Sequence, residues 1–183
     1  DAFRAFTNND NWFYGSWFEN GLHNLKHKAT ASKVIKRKDG SMVLFYTVES
    51  QAPNAAKILG GTSSGKNKVE ELTDKAFGED DFKFTTDQAW TIYRDGSIEL
   101  QASITSNNSS LVLPRLGYRM IVPQRYENYT YYGRGPVENY ADRKAGQFIE
   151  QYKSTVADQF VNFPKPQDMG NHEDVRWCAL TDK

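Results

Sequence analysis

Two carboxylates four residues apart, Glu138 and Asp142, lie in the stretch of the sequence that is richest in chemically active side chains. This stretch, YYGRGPVENYADRKAG at residues 131–146, also holds two arginines, a lysine and three tyrosines. A glycosidase needs two carboxylates about 5–10 Å apart, so the pair is a candidate for acid–base chemistry. Arg134 and Arg143 are close in sequence, however, and a carboxylate paired with arginine stays ionised and is unsuited to act as a general acid. The stretch fits a catalytic loop or a salt-bridged corner, and the corner is favoured.

Glu127 and the histidines are further candidates. Glu127, in RYENYTYY, is a possible glycosidase carboxylate, although a solvent-facing strand glutamate is the more common case. His23 and His27 have i, i+4 spacing but lack the glutamate of the H-E-x-x-H zinc motif, and His172 stands apart from both. We therefore expect no metal site in this chain.

A polar loop near the start of the chain is the last local candidate. Arg4 and the run NNDN precede Trp12. Amide and carboxylate groups beside an aromatic ring could hold a ligand through hydrogen bonds. Asn and Asp also favour turns and caps, which explain the same residues without a ligand.

Composition narrows the classes of partner. Lys+Arg and Asp+Glu both number 23 among 183 residues, and this zero net charge argues against a nucleic-acid or anionic-membrane partner. The one cysteine, Cys178, excludes an internal disulfide and a cysteine-based zinc site, and its apolar surroundings predict a small core residue. No apolar run approaches the roughly 18 residues that a membrane-spanning helix needs.

The elements that must position these residues are mostly strands. Asp39-Gly40 and Asp95-Gly96 each join two β-rich runs and predict hairpins, because glycine adopts positive φ at little cost. The second hairpin ends in an alternating strand. One face of that strand carries Ile98, Leu100, Ala102 and Ile104, and the other carries Glu99, Gln101 and Ser103.

Other segments have weaker signals. Residues 12–27 have helical apolar spacing weakened by Gly15 and Gly21, which predicts one or two short helical turns. Residues 53–81 look like a long surface insertion, and GGTSSGKNK within them lacks the P-loop spacing. The runs RLGYRMIVP, YENYTYYG and DVRWCAL predict strands, and GQFIEQYKSTVADQF fits a strand or a short helix.

These elements predict a single antiparallel β-sandwich domain over residues 1–183. Hairpins follow one another in sequence, which favours antiparallel sheets, and no repeat or linker divides the chain. The run DVRWCAL ends three residues before the last residue, so we expect a C-terminus that falls within a domain.

Three motifs in order carry a resemblance to a known family. FRAFTNNDNW at residues 3–12 resembles the opening of the C-terminal domain, the small-chain-like domain 5, of LacZ-type family 2 β-galactosidases. GYRMIVPQRYENYTYYGRGPVENYADRKAG resembles their W-x-G-x-G-P-x-E-N-Y-x-D-R signature and its surroundings, and KPQDMGNHEDVRW is similar to their P-Q-E-N-G-N-x-x-D-V-R-W. The residues of this signature are Arg134, Gly135, Pro136, Glu138, Asn139, Tyr140, Asp142, Arg143, Arg176 and Trp177.

The resemblance implies an all-β fold, an antiparallel supersandwich similar to galactose mutarotase-like domains, with a few short helical turns. It implies a fragment that ends before the last part of the domain, where relatives carry a tryptophan that approaches the substrate. It also implies that the catalytic glutamates belong to a TIM barrel upstream and that no catalytic residue lies in this chain. The domain would brace that barrel and shape the active-site mouth, with Arg4, Asn9, Asp10 and Trp12 nearest the sugar.

The wider expectations follow from the same resemblance. The parent enzyme would hydrolyse terminal β-D-galactosides, and its partners would be its remaining domains, the galactoside and further copies of itself. This fragment would need no cofactor, while Mg, Na or Ca would bind other domains of the parent. A bacterial cytoplasmic or periplasmic enzyme is expected. The alternatives are an independent carbohydrate-binding module and a mutarotase-like epimerase, which would need a positioned acid and base.

Overall fold

The computed structural model describes residues 1–59, 68–164 and 167–182, and their regular structure is mainly antiparallel β-sheet with short helical turns. All but one residue of the stretch GGTSSGKNK lies outside the described residues. Contacts group the chain into two compact units, Asp1–Phe3 with Asn8–Leu116 and Arg4–Thr7 with Gly117–Lys183. The expectation of a single domain over residues 1–183 therefore stays a prediction.

The first unit begins with helical turns and continues as strands. A 3-10 turn covers Asn8–Trp12, helix α1 covers Tyr14–Glu19, and a second 3-10 turn covers Leu22–Asn24. The strands are β1 Lys26–Lys36, β2 Met42–Gln51, β3 Asn54–Leu59, β4 Lys68–Ala76, β5 Phe84–Ile92 and β6 Ile98–Ser106. They form a four-stranded sheet in the order β1-β2-β5-β6 and a two-stranded sheet of β3 and β4.

Both predicted hairpins of this unit are confirmed. Gly40 and Gly96 have φ of +84° and +87°, which a side chain would disfavour. In each turn the preceding aspartate accepts a hydrogen bond from the backbone two residues on: Asp39 Oδ1 from Ser41 at 2.8 Å and Asp95 Oδ1 from Ser97 at 2.9 Å. These local bonds explain why Asp-Gly predicts the turns so well.

The helical turns are also where predicted, and they supply apolar core. Trp17, Phe18 and Leu22 are buried, and the Phe3 ring meets the Phe18 ring edge-on at 5.5 Å. The Trp17 indole donates to the Val112 carbonyl at 2.8 Å, so its polar atom is satisfied.

The second unit holds a three-stranded sheet. Strands β7 Asn128–Gly135, β8 Phe148–Thr155 and β9 Trp177–Thr181 lie in the order β8-β7-β9, and both pairings are antiparallel. A 3-10 turn follows β8 at Ala157–Gln159, so the segment predicted as strand or helix contains both.

Three sequence-based expectations were wrong. The run RLGYRMIVP forms no strand, and Met120 and Ile121 are 85% and 89% exposed. Strand propensity is only a tendency, and tertiary packing overrides it in this run. Residues 53–81 are not simply a surface insertion, because β3 and β4 pair there and Ala56 is fully buried. Cys178 is exposed rather than part of the core, because β9 is an edge strand.

No helix in the described ranges has the length and apolar character needed to cross a lipid bilayer.

Candidate functional site

The signature stretch forms a corner at the end of β7. The strand ends at Gly135, which a cis peptide bond joins to Pro136. The chain then turns back at residues 140–143, where Tyr140 and Arg143 exchange backbone hydrogen bonds of 3.2 and 2.9 Å. Residues 168–176 run beside this corner and complete it through the contacts described below. We call these two segments, 131–147 and 168–176, the signature corner.

Asn139 is the centre of the signature corner. Its side chain is fully buried, and its amide nitrogen donates to the carbonyl oxygens of Arg134 at 2.8 Å and Val137 at 3.0 Å. Its amide oxygen accepts from the Glu173 backbone at 2.8 Å. Its own backbone N–H donates to the Asn171 carbonyl, and its carbonyl accepts from the Asn171 side chain, both at 2.7 Å. One side chain thus ties both segments of the corner together.

Glu138 has both carboxylate oxygens occupied by partners within the corner. Oε1 accepts from Arg143 at 2.7 Å, and Oε2 accepts from the Gly170 backbone at 2.8 Å and the Tyr140 hydroxyl at 3.1 Å. The Glu138 side chain is only 10% exposed. The arginine lies 5.0 Å from the centre of the Tyr140 ring, which adds a cation–π contact. Both oxygens are therefore held by partners within the corner.

Arg134 pairs with a residue that the sequence analysis did not select. Its Nε and Nη2 atoms lie 2.8 and 2.7 Å from Asp174 Oδ2, and Nη1 donates to the Gln147 carbonyl at 2.9 Å. The hydrogen bond from Arg134 is the main cause that lowers the pKa of the Asp174 carboxyl. Asp174 has φ of +55°, a conformation that is uncommon outside glycine.

The expectation that Asp142, like Glu138, pairs with a nearby arginine in a salt-bridged corner was wrong. Asp142 is exposed and has no ion-pair partner among the described residues, while Glu138 and Asp174 take the two arginines. The reason is the turn at residues 140–143, which directs Asp142 outward although it is four residues from Glu138. The salt-bridged corner itself is present.

A buried tyrosine supports the corner from the sheet. Tyr131 is completely buried, and its hydroxyl donates to the Pro136 carbonyl at 3.1 Å. Burial, followed by the neighbouring phenols of Tyr129 and Tyr152, raises the pKa of Tyr131 to about 12. The phenol therefore keeps the proton with which it holds Pro136.

Two glycines allow this close packing. A Cβ added at Gly133 would lie 2.8 Å from Val175 Cα, and one at Gly135 would lie 2.3 Å from the Tyr131 hydroxyl. Neither position has room for a side chain, which explains the G-x-G spacing of the signature without any ligand.

His172 also serves the corner. Its Nδ1 lies 3.2 Å from the Arg134 carbonyl, and its Nε2 lies 2.7 Å from Gln159 Oε1. Sequence analysis missed the corner roles of His172, Glu173 and Asp174, although all three lie in the last motif, because their partners are far away in sequence. The remaining signature residues, Arg176 and Trp177, are exposed, and the Arg176 backbone donates to the Tyr132 carbonyl at 2.8 Å.

The residues of the opening motif differ in exposure. Asn9 is exposed, Trp12 is 90% exposed, and Asp10 is buried at 8% exposure. Arg4 is half-buried and donates to the Ala5 carbonyl at 2.8 Å. The expectation that these residues approach a sugar remains a prediction.

The remaining candidates have structural settings. Glu127 precedes β7, and its Oε1 accepts from the Ala157 backbone at 2.9 Å, which caps the 3-10 turn. His27 Nδ1 lies 2.8 Å from Ser50 Oγ. His23 packs against the rings of Phe3 and Phe18, and burial lowers the pKa of its imidazole. No cluster of His, Cys, Asp or Glu that could hold a metal ion occurs among the described residues.

Comparison with known proteins identifies the family. The model of the beta galactosidase small chain family matches residues 1–183. The β-galactosidase of Priestia megaterium is 35% identical over 92 residues, which is 50% of this chain and 9% of that protein. The β-galactosidase of Kluyveromyces lactis is 35% identical over 101 residues, which is 54% of this chain and 10% of that protein. The matched part of the chain thus spans about a tenth of the length of these relatives, and the chain belongs to the beta galactosidase small chain family.

Proposed function

We propose that the chain is the non-catalytic C-terminal domain of a β-galactosidase that hydrolyses terminal β-D-galactosides. In this proposal it braces the TIM barrel of the enzyme and shapes the mouth of the active site. The domain would form a supersandwich. The parent's metal ions, Mg, Na or Ca, would bind other domains.

The observation that carries the proposal is the state of Glu138. Its carboxylate is the most conspicuous candidate acid in the family signature, yet both oxygens accept hydrogen bonds from Arg143, Tyr140 and the Gly170 backbone. A general acid must reach the glycosidic oxygen, and a second carboxylate must flank the same bond. Asp142, the other carboxylate of the signature, is exposed to solvent. The corner therefore favours a structural role, with the chemistry elsewhere in the enzyme.

The role at the active-site mouth is tested in the full-length enzyme through the opening motif. Asn9→Ala and Trp12→Ala remove exposed side chains, so they should leave the free energy of unfolding unchanged. If these side chains face the sugar, their removal should raise KM or lower kcat for a nitrophenyl galactoside. Asn162→Ala and Phe160→Ala are the matched controls, because both side chains are exposed and lie outside this motif. Unchanged kinetics in all four variants would contradict the role at the mouth.

An independent carbohydrate-binding module is the second candidate. The observation that favours it is the exposure of neighbouring aromatic rings, 90% for Trp12 and 44% for Phe13. Aromatic rings offer a large rigid apolar surface on which a sugar ring can stack. Calorimetric titration of the chain and of its Trp12→Ala variant with galactose tests this candidate, because a module that stacks a sugar on Trp12 produces heat that the substitution abolishes.

A mutarotase-like epimerase is not supported by the histidines. Both ring nitrogens of His172 face protein oxygens, and the ring nitrogens of His23 are buried. Polarimetry with α-galactose tests this alternative, and we expect no acceleration of mutarotation.

A further inference from the structure

The four-stranded sheet has one polar face that neither the signature corner nor the opening motif uses. Residues directly opposite each other in an antiparallel sheet project to the same side. Across the sheet, two such rows run side by side on one face: Lys33, Phe45, Ala89 and Gln101 in one row, and Ala31, Thr47, Asp87 and Ser103 in the other. The apolar face predicted for β6, with Leu100 and Ile104 half-buried, is on the opposite side. This polar face is therefore the solvent-facing side of the sheet, opposite the apolar residues of β6.

A groove of about 520 Å³ crosses all four strands on the polar face. Its size lies within the range of about 300–1,000 Å³ that small-molecule sites occupy. Ala31 and Ala89 keep its floor low, because their side chains are short, so a flat ligand can approach the backbone. The larger lining side chains, among them Lys33, Phe45 and Gln101, surround these two alanines.

One aromatic ring stands among hydrogen-bonding groups in the groove. Phe45 is 38% exposed although it lies on an inner strand of the sheet, so its ring faces solvent. Beside it in the lining, Asp87 is fixed in place, because Thr47 Oγ1 donates to its Oδ1 at 2.7 Å. Gln101 donates to Glu99 Oε1 at 2.8 Å, which orients its amide and leaves its carbonyl oxygen as an acceptor. The groove thus presents an apolar ring together with preoriented polar atoms.

The charges of the lining are balanced. Lys33 is its one cation and Asp87 its one carboxylate, and the other lining side chains are uncharged. A strongly anionic or cationic ligand would be attracted by one of these two charges and repelled by the other. A neutral polyol, which offers both donors and acceptors and a flat apolar ring face, matches all of these groups.

We propose that this groove, centred on Phe45, Asp87 and Gln101, is a binding site for a neutral oligosaccharide. The sugar ring stacks on Phe45 while its hydroxyl groups donate to Asp87 and Gln101 and accept from Lys33. The site binds sugar without cleaving it. It goes beyond the proposed function, since a domain that braces a barrel does not need this groove.

Nuclear magnetic resonance titration of the ¹⁵N-labelled chain with lactose tests the site. We expect saturable amide shift changes at millimolar lactose, confined to β1, β2, β5 and β6 around Phe45. Phe45→Ala should weaken binding by roughly tenfold, the loss of one stacking contact of about 1.4 kcal/mol. Gln101→Ala, an exposed residue whose removal does not threaten the fold, should weaken binding several-fold.

Phe148→Ala is the matched control, because this ring is 68% exposed on β8 and lies outside the groove. It should leave lactose affinity unchanged. The proposal is overturned by the absence of saturable shifts, by shifts that map outside these four strands, or by unchanged affinity in both groove variants. None of these outcomes affects the proposed function, which is tested by the kinetics of the full-length enzyme.

Discussion

The Asn139 side chain donates to the Arg134 carbonyl at 2.8 Å from a completely buried position. The same amide group also accepts from the Glu173 backbone, so it links the end of β7 to a segment more than thirty residues later. Buried amides in such a setting are costly to remove, because their partners are left without hydrogen bonds. We expect the stability of the signature corner to depend on Asn139 more than on Glu138 or Asp142.

Asn139→Ala should destabilise the chain by about 2–4 kcal/mol, because it removes three buried hydrogen bonds, to the Arg134 and Val137 carbonyls and from the Glu173 N–H. Urea denaturation followed by circular dichroism measures the loss. Asn162→Ala is the control, since that side chain is exposed, and it should change the free energy of unfolding by less than about 0.5 kcal/mol. Equal stability of the two variants would contradict the central position of Asn139.

The two carboxylates of the signature should behave differently. Glu138→Ala removes three hydrogen bonds from a side chain that is 10% exposed, and we expect a loss of about 2–3 kcal/mol. Asp142→Ala removes an exposed side chain and should cost less than about 0.5 kcal/mol. The urea midpoints of the two variants decide between them, and a larger loss for Asp142→Ala would reverse the assignment.

Turns fixed by local hydrogen bonds could be predicted from the sequence, but pairings between distant residues could not. The sequence predicted the hairpins at Gly40 and Gly96 because the bonds that fix them lie within two residues. It did not predict the partner of Arg134, because Asp174 lies forty residues later and only the folded chain brings the two together. Asp142 was instead expected to pair with an arginine, because it is close to Arg134 and Arg143 in sequence.

The same distinction separates the successful strand predictions from the failed one. Composition marked both β7 and the run around Met120 as strands. β7 pairs with β8 and β9, whereas the other run forms no strand and its side chains remain exposed. Strand propensity reports a tendency that tertiary pairing must complete.

Gly133→Ala should destabilise the chain by about 1–3 kcal/mol, because the new Cβ would lie 2.8 Å from Val175 Cα, a backbone atom that cannot rotate away. Gly117→Ala is the matched control, because nothing lies within 4 Å of its added Cβ. Thermal unfolding should show a lower Tm for Gly133→Ala and an unchanged or slightly higher Tm for Gly117→Ala. A tolerated Gly133→Ala would mean that the corner is less tightly packed than the structure indicates.

The buried Tyr131 predicts a loss of stability at alkaline pH. Burial raises its pKa from 10 to about 12, so the folded chain holds this proton more tightly than the unfolded chain does. The contribution is fully present below pH 10 and is lost as the pH rises through about 12, with a magnitude of roughly 2–3 kcal/mol.

Tyr131→Phe removes this contribution, so the variant should lose less stability than the wild type between these pH values. At neutral pH it should be less stable by about 1 kcal/mol, because the hydrogen bond to Pro136 is gone. Urea unfolding at a series of alkaline pH values gives both quantities. Parallel pH profiles for the two proteins would show that Tyr131 titrates as it does in the unfolded chain.

The most direct test of the account is the rate at which the purified chain hydrolyses o-nitrophenyl β-D-galactopyranoside, alone and after addition of the polypeptide that carries the rest of its enzyme. A non-catalytic domain predicts no hydrolysis above buffer for the chain alone and the appearance of hydrolysis on mixing. Hydrolysis by the chain alone would contradict the account, and it would return Glu138 and Asp142 to the position of candidate catalytic residues.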